Sequence, residues 1–282
     1  MFERSVYASG NNRKLVLLQS MVSESEIAEY ELMASDFWPA KEVHMYRRWI
    51  LFWDNGITWR ANSVLPYGGL DGITLDEAIE YVIEFYQTRR TPPAFKLTDA
   101  CRPEGLDAAL TQKGFTKHMI TLFQTAQIGE ISCSIPRIEV DIFQVTEQSL
   151  TDLFYKTGFE KKMIDVRRGI IERIEGHKCI ARVKIHGNIA GLGLGVVQDE
   201  WLGLFSIRTL PEYRGKGVAW SVTCALAIWA EDLGAKNAFL QVEAENKPAI
   251  ALYESMGFET LYEYWYRILE NEPGSHITST HC

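Results

Sequence analysis

The sequence predicts an α/β (α+β) chain of two successive folded halves, and three observations carry that prediction. The 282 residues exceed the roughly 100 to 200 of a common single domain. Stretches with the spacing of strands and stretches with the spacing of helices follow one another in both halves. The outline Leu106-x-x-x-Leu110-x-x-x-Gly114-Phe115 returns as Ala249-x-x-x-Tyr253-x-x-x-Gly257-Phe258, each copy preceded by a strand signal, as an internal duplication would produce. The divide is expected in the aperiodic stretch 126–136, giving a first domain over 1–130, a second over 137–270 and a flexible tail at 271–282.

In the first half, Ser23 precedes acidic residues and an apolar stripe over 23–35, the pattern of a capped helix start. Strands at 49–53 and 57–64 flank Asp54-Asn55-Gly56. Asn-Gly supplies the positive φ angles of a tight hairpin, so an antiparallel pair is expected there. Thr74 caps a helix over 74–89 with Leu75, Ala78, Ile79, Val82 and Phe85 along its apolar side, stopped by Thr91-Pro92-Pro93. A strand at 94–97 and a short helix over 105–112 follow. The second half reads as a strand at 138–143, helices over 147–156 and 164–173, and three strands parted by turns at Gly187-Asn188 and Asp199-Glu200. The third of these, 202–209, runs into Arg214-Gly215-Lys216-Gly217-Val218-Ala219 and then into an almost wholly apolar helix ended by Gly234.

Composition narrows the function. A hydrophobic content of 46% with 23% charged residues is that of a folded chain. The early apolar run at 15–18 is far too short for a secretory core or a membrane span, so the chain is expected to stay in the cytoplasm. Five scattered cysteines without a C-x-x-C pair, and six histidines without helical ligand spacing, argue against a disulfide framework and a metal site. The net charge of −8 disfavours nucleic acid and anionic membranes as partners and suits a cationic amine. The alternate glycines Gly191, Gly193 and Gly195 lack the spacing of a dinucleotide-binding loop and precede a strand; they read as one flat strand face open to close approach.

The glycine loop at 214–219 is the chemical candidate. A strand that turns through glycines into a helix leaves several N–H groups without intrahelical partners, and Arg214 and Lys216 add positive charge. R-G-K-G alone is equally compatible with a plain surface turn. Together with Asn246-x-x-Ala249-x-x-x-Tyr253-x-x-x-Gly257-Phe258 after the next strand, however, the pattern resembles the GNAT superfamily of N-acetyltransferases over the whole second half.

That resemblance implies two domains, each a mixed, mostly antiparallel sheet flanked by helices. It implies acetyl-CoA as co-substrate and no metal, and direct transfer of the acetyl group to a primary amine in a ternary complex. Main-chain amides of Arg214, Gly215, Lys216, Gly217, Val218 and Ala219 would cradle the pyrophosphate. Main chain at Ile207, Arg208 and Thr209 would pair with the pantetheine arm and orient the thioester carbonyl, and Asn246 would line the same channel. Tyr253 stands where the family often places a general acid; its plainer reading is a buried aromatic on an amphipathic helix. Glu243 and Glu245, on the same strand face if the strand continues that far, are the candidates for the base, with Glu243 preferred, and either is as compatible with a solvated charge. The first half lacks these motifs, with Leu110 at the tyrosine position and Pro103 at the asparagine position. It resembles the degenerate half of a tandem protein, and Trp59, Arg60, Asn62 and Ser63 are candidates to wall the acceptor pocket. A small-molecule amine is expected before a protein acceptor. A non-enzymatic acyl-CoA sensor is the alternative, and the oligomeric state is not legible.

Overall fold

The computed structural model describes residues 22–131, 133–155 and 159–270; the expected tail lies outside them. Helix α1 (Glu24–Asp36) opens on a reciprocal cap: Ser23 Oγ accepts from the Glu26 N–H at 3.3 Å and the Glu26 carboxylate accepts from the Ser23 N–H at 2.8 Å. Thr74 and Glu77 repeat that exchange at the start of α2 (Leu75–Gln87).

Between these helices the expectation of a hairpin at Asn55-Gly56 needs correction. The hairpin lies one strand earlier: β1 (Glu42–Tyr46) pairs antiparallel with β2 (Trp49–Trp53), turning at Arg47, whose φ is 56°. Asn55 and Gly56 do take positive φ, but the chain then enters a 3-10 turn at Trp59–Ala61, and only β3 (Val64–Leu65) returns to β2. The buried Asn62 side chain explains this. Its Oδ1 accepts from the Asp54 and Gly56 amides at 2.7 and 2.9 Å, and its Nδ2 donates to the Thr58 carbonyl at 2.7 Å, so a side chain satisfies groups that a second strand would have used.

The rest runs β4 (Ala94–Leu97), α3 (Leu106–Gln112), β5 (Thr116–Gln127), β6 (Val140–Gln144), α4 (Glu147–Tyr155), α5 (Lys161–Arg173), β7 (His177–Ile185), β8 (Asn188–Gln198), β9 (Trp201–Thr209), α6 (Val218–Asp232), β10 (Asn237–Glu243), α7 (Lys247–Ser255) and β11 (Glu259–Ile268). The two copies of the Gly-Phe outline close with the same hydrogen bond. After α3, Gly114 takes φ 89° and the Phe115 N–H donates to the Leu110 carbonyl at 3.0 Å; after α7, Gly257 takes φ 97° and the Phe258 N–H donates to the Tyr253 carbonyl at 3.0 Å. Glycine is required at both turns, because an L side chain at such φ is strained.

The described strands form one sheet in the order β1-β2-β3-β4-β11-β5-β10-β9-β8-β7-β6, and all neighbours pair antiparallel except β3 with β4 and β9 with β10. The last strand of each half sits beside strands of the other. β5 lies between β10 and β11, and β11 lies between β4 and β5. Over this junction α1 contributes Ile27 and Ala34 to a core with Phe37, Phe123, Phe239 and Tyr262. There Phe123 stacks on Phe239 at 5.4 Å and on Tyr262 at 4.8 Å. A buried Glu31–Lys96 ion pair joins α1 to β4, and the Tyr262 hydroxyl donates to Glu31 at 3.0 Å.

Candidate active site

Strands β9 and β10 run parallel and bonded only from Trp201–Gly203 opposite Asn237–Phe239. Beyond that they part, and no described strand pairs with that edge of β9 over its last six residues. Within that stretch Ser206 takes φ 50° and the ladder to β8 slips: Leu192 faces Arg208 and Leu194 faces Phe205, so Ser206 and Ile207 together oppose Gly193. Such a bulge bends the strand and re-aims its groups.

The chain then crosses 210–213 into the glycine loop. Gly215 and Gly217 take φ 74° and 79°, and Gly217 caps α6 in the left-handed region. A Cβ on Gly215 would meet nothing within 4 Å, so the loop borders open space. The first intrahelical bond of α6 runs from the Ser221 amide to the Gly217 carbonyl at 3.0 Å. The amides of Val218, Ala219 and Trp220 therefore precede the ladder and point out of the helix end, where the dipole is positive.

These features bound a cavity of about 550 Å³. Ile207, Arg208, Thr209, Arg214, Gly215, Gly217, Val218, Ala219, Asn246 and Tyr253, all singled out from the sequence, line it. Lys216 does not: its ammonium lies 5.2 Å over the Tyr213 ring. Asn246 serves mainly as a cap, its Oδ1 accepting from the Ala249 N–H at 3.3 Å at the start of α7. Sequence reasoning missed Arg137, which stands 4.2 Å from the Trp220 ring at the mouth of α6. No local motif marks it; the bond from the Ile138 amide to Ser221 Oγ, 3.1 Å, brings the segment to the helix.

Ile207, Asn246, Ala249 and Tyr253 also line a smaller cavity of about 60 Å³ between the parted strands, with Glu243 and Gln241 of β10 and Arg60 of the first half. Tyr253 is thus common to both, and its phenol is buried. Burial pushes it up to about 12, while the Arg208 charge draws it back in part. Glu243 and Glu245 separate: β10 ends at Glu243, Glu245 lies in the exposed turn beyond, and Glu243 alone lines the cavity. The strand does not continue far enough for alternation to place both on one face. Of the first-half candidates Arg60 alone reaches this cavity. Asn62 is spent on its loop, Trp59 lies 6.3 Å from Tyr266, and the Ser63 hydroxyl is buried without a hydrogen-bond partner while its carbonyl accepts from the Phe52 amide.

The flat face of Gly191, Gly193 and Gly195 is filled by α6. A Cβ on Gly193 would lie 2.6 Å from Val222 Cγ1, and one on Gly195 2.8 Å from Leu226 Cδ2. The glycines thus set how closely α6, with its outward amides, lies on the sheet. Among the described residues no group of three or more His, Cys, Asp or Glu side chains could hold a metal ion, and no helix is long and apolar enough to cross a membrane.

Comparison with known proteins agrees with this architecture. Residues 24–267 match the family model described as probable histone acetyltransferase Rv0428c C-terminal. The chain is 31% identical over 251 residues to the uncharacterized N-acetyltransferase YobR of Bacillus subtilis (strain 168), covering 86% of this chain and 98% of that one. A GCN5-related N-acetyltransferase from Kribbella flavida shares the fold, with a TM-score of 0.66 at 15% identity over 91% of this chain and 98% of its own. A tandem GNAT protein from the clavulanic acid biosynthesis pathway has a TM-score of 0.51 at 11% identity, over 70% of each chain. With a family model spanning nearly all the described residues and a relative matched from end to end, the chain belongs to the Rv0428c C-terminal acetyltransferase family and is a GNAT-type acyltransferase.

Proposed function

We propose that the protein is an acetyl-CoA-dependent N-acetyltransferase that acts by direct transfer to a primary amine of a small molecule in the cytoplasm. The observation that carries this reading is that two cavities share Tyr253 in their linings: the outward amides of the α6 end border one, and Glu243 lines the other. When bound, acetyl-CoA would supply the acetyl thioester on which the amine acts. The residues present fit it. The open space beside Gly215, the outward amides of α6 and the cations Arg137 and Arg214 suit a pyrophosphate, and the unpaired edge of β9 beyond Gly203 suits the amide groups of a pantetheine arm.

Each residue then has a task. Main chain at Ile207 to Thr209 holds the thioester carbonyl against the bulge and fixes its orientation. Glu243 accepts the proton that the amine loses as the carbon–nitrogen bond forms. Tyr253 donates to the sulfur as the carbon–sulfur bond breaks, and its raised pKa keeps that proton in place at neutral pH. Solvent returns both groups to their starting states.

Calorimetric titration with acetyl-CoA tests the first step. Binding is expected for the native protein and about a hundredfold or greater weakening for Gly217→Val, whose side chain the φ of 79° does not tolerate. Absence of binding by the native protein would overturn the proposal.

A further inference from the structure

The donor of the reaction proposed above is strongly anionic, and the chain that would hold it has a net charge of −8. Acetyl-CoA carries a pyrophosphate and, further from its thioester, a phosphomonoester on the 3′-hydroxyl of its ribose. The outward amides of α6 and the charge of Arg214 in the glycine loop serve the pyrophosphate. The monoester holds about 1.5 to 2 negative charges near neutral pH and needs a cation of its own. Arg137 is the cation placed to meet it.

Three contacts hold Arg137 against the first turn of α6. Its Cδ lies 3.7 Å from the point a Cβ on Gly217 would occupy. Its guanidinium carbon stands 4.2 Å from the centre of the Trp220 ring. One residue on, the Ile138 amide donates to Ser221 Oγ at 3.1 Å, which ties the segment to the helix about one turn beyond Gly217. The residue is nonetheless exposed, and among the described residues no acceptor takes its side-chain N–H groups and no carboxylate pairs with it. A guanidinium already packed on an aromatic ring loses little freedom on meeting an anion, and arginine can meet a phosphate with two parallel N–H bonds.

The linings separate the two ends of the larger cavity. Ile207, Asn246, Ala249 and Tyr253 border both cavities, whereas Arg137, Arg214, Gly215 and Trp220 border the larger one alone. We propose that Arg137 is a specificity residue for the donor: it pairs with the 3′-phosphomonoester and so selects acetyl-CoA over its dephosphorylated form. The inference rests on the transfer reading above and names the residue that reads the far end of the donor. With the thioester at the shared residues and the pyrophosphate on the α6 amides, the ribose end lies on the side of Trp220 and Arg137. Arg137 touches no reacting atom, so its effect belongs to binding and not to the chemical step.

Calorimetric titration with acetyl-CoA and with acetyl-3′-dephospho-CoA tests it on the native protein, Arg137→Met and Arg137→Lys. The native protein is expected to bind acetyl-CoA about tenfold more tightly than the dephosphorylated donor. That difference should shrink at about 1 M salt, where the screening length falls to about 3 Å. Arg137→Met keeps an apolar stem beside Gly217 and is expected to weaken acetyl-CoA alone, bringing it level with the dephosphorylated donor; Arg137→Lys should keep part of the difference. Unchanged affinity of both variants for the dephosphorylated donor would show that they fold and that the pyrophosphate site is intact. A difference that survives Arg137→Met would overturn the assignment. So would an Arg137→Met that weakens both donors alike, which would place the guanidinium on the pyrophosphate. If the native protein binds both donors equally, this inference fails alone; if it binds neither, the transfer reading falls with it.

Discussion

Tyr253 lines both cavities, and burial dominates the behaviour of its phenol. With the folded-state pKa pushed up to about 12, above the ordinary value of about 10, the folded chain keeps this proton where the unfolded chain loses it. Its contribution to stability is therefore complete below about pH 10 and is lost as pH rises through about 12. In the proposed reaction the same shift bears on catalysis. Tyr253→Phe is expected to lower kcat by about 10² to 10⁴-fold with little change in acetyl-CoA affinity. The native enzyme should show no alkaline loss of kcat from this group up to about pH 10. Steady-state rates across pH, beside calorimetry on the variant, check both; a descending limb that is centred near pH 8 and disappears in Tyr253→Phe would contradict the assignment.

Helix α6 shows how an element's position depends on what lies beneath it. Its outward amides serve the cavity only if the helix lies close on β8, and Gly191, Gly193 and Gly195 permit that approach. Gly193→Val would set its branched side chain against Val222 and against Ile207 of the bulge. Overpacking of this kind costs about 1 to 3 kcal/mol. A lower thermal midpoint is expected together with weakened acetyl-CoA binding, because the displaced helix carries the proposed anion site with it. Destabilisation without any loss of affinity would show that α6 and the site are not mechanically linked. Helix α3, the first-half counterpart of α7, keeps the same closing turn but presents Leu110 where α7 presents Tyr253, so the element persists without the chemical group.

Across the whole molecule, β5 and β11 bind the halves together. A polypeptide of residues 137–270 alone would lack β5, leaving edges of β10 and β11 unpaired and apolar surface around Phe239 and Tyr262 uncovered. We expect that fragment to show no cooperative thermal transition and to regain one, with acetyl-CoA binding, when produced together with residues 22–131. A sharp transition in the isolated fragment would establish 137–270 as an autonomous domain. The same junction explains why the motif-poor half persists: α1, the loop at Trp59–Ala61 and β4 place Trp38, Arg60 and Lys96 around the space beside β10.

Local chemistry made much of this legible. Ser23 and Thr74 capped helices because their oxygens satisfy first-turn amides wherever the chain goes next. Gly215 and Gly217 marked the loop because few other residues accept those φ angles, and the repeated Gly-Phe outline closes two helices with the same bond. What the sequence left unread depends on partners distant along the chain. The Asn-Gly turn did not seed a hairpin because Asn62, buried by tertiary packing, took the amides. β5 and β11 escaped notice although each spans ten or more residues, since their neighbours come from the opposite half. Glu243 and Glu245 were parted by the point at which β10 stops; Arg137 reached its cavity through the bond of its neighbour Ile138 to Ser221, 83 positions on, and Arg60 through the Trp38 ring, 22 positions back. The sequence by itself determined the caps, the glycine loop and the membership they imply; only the tertiary structure decided which charges face the cavities, because that depends on side chains no local pattern brings together.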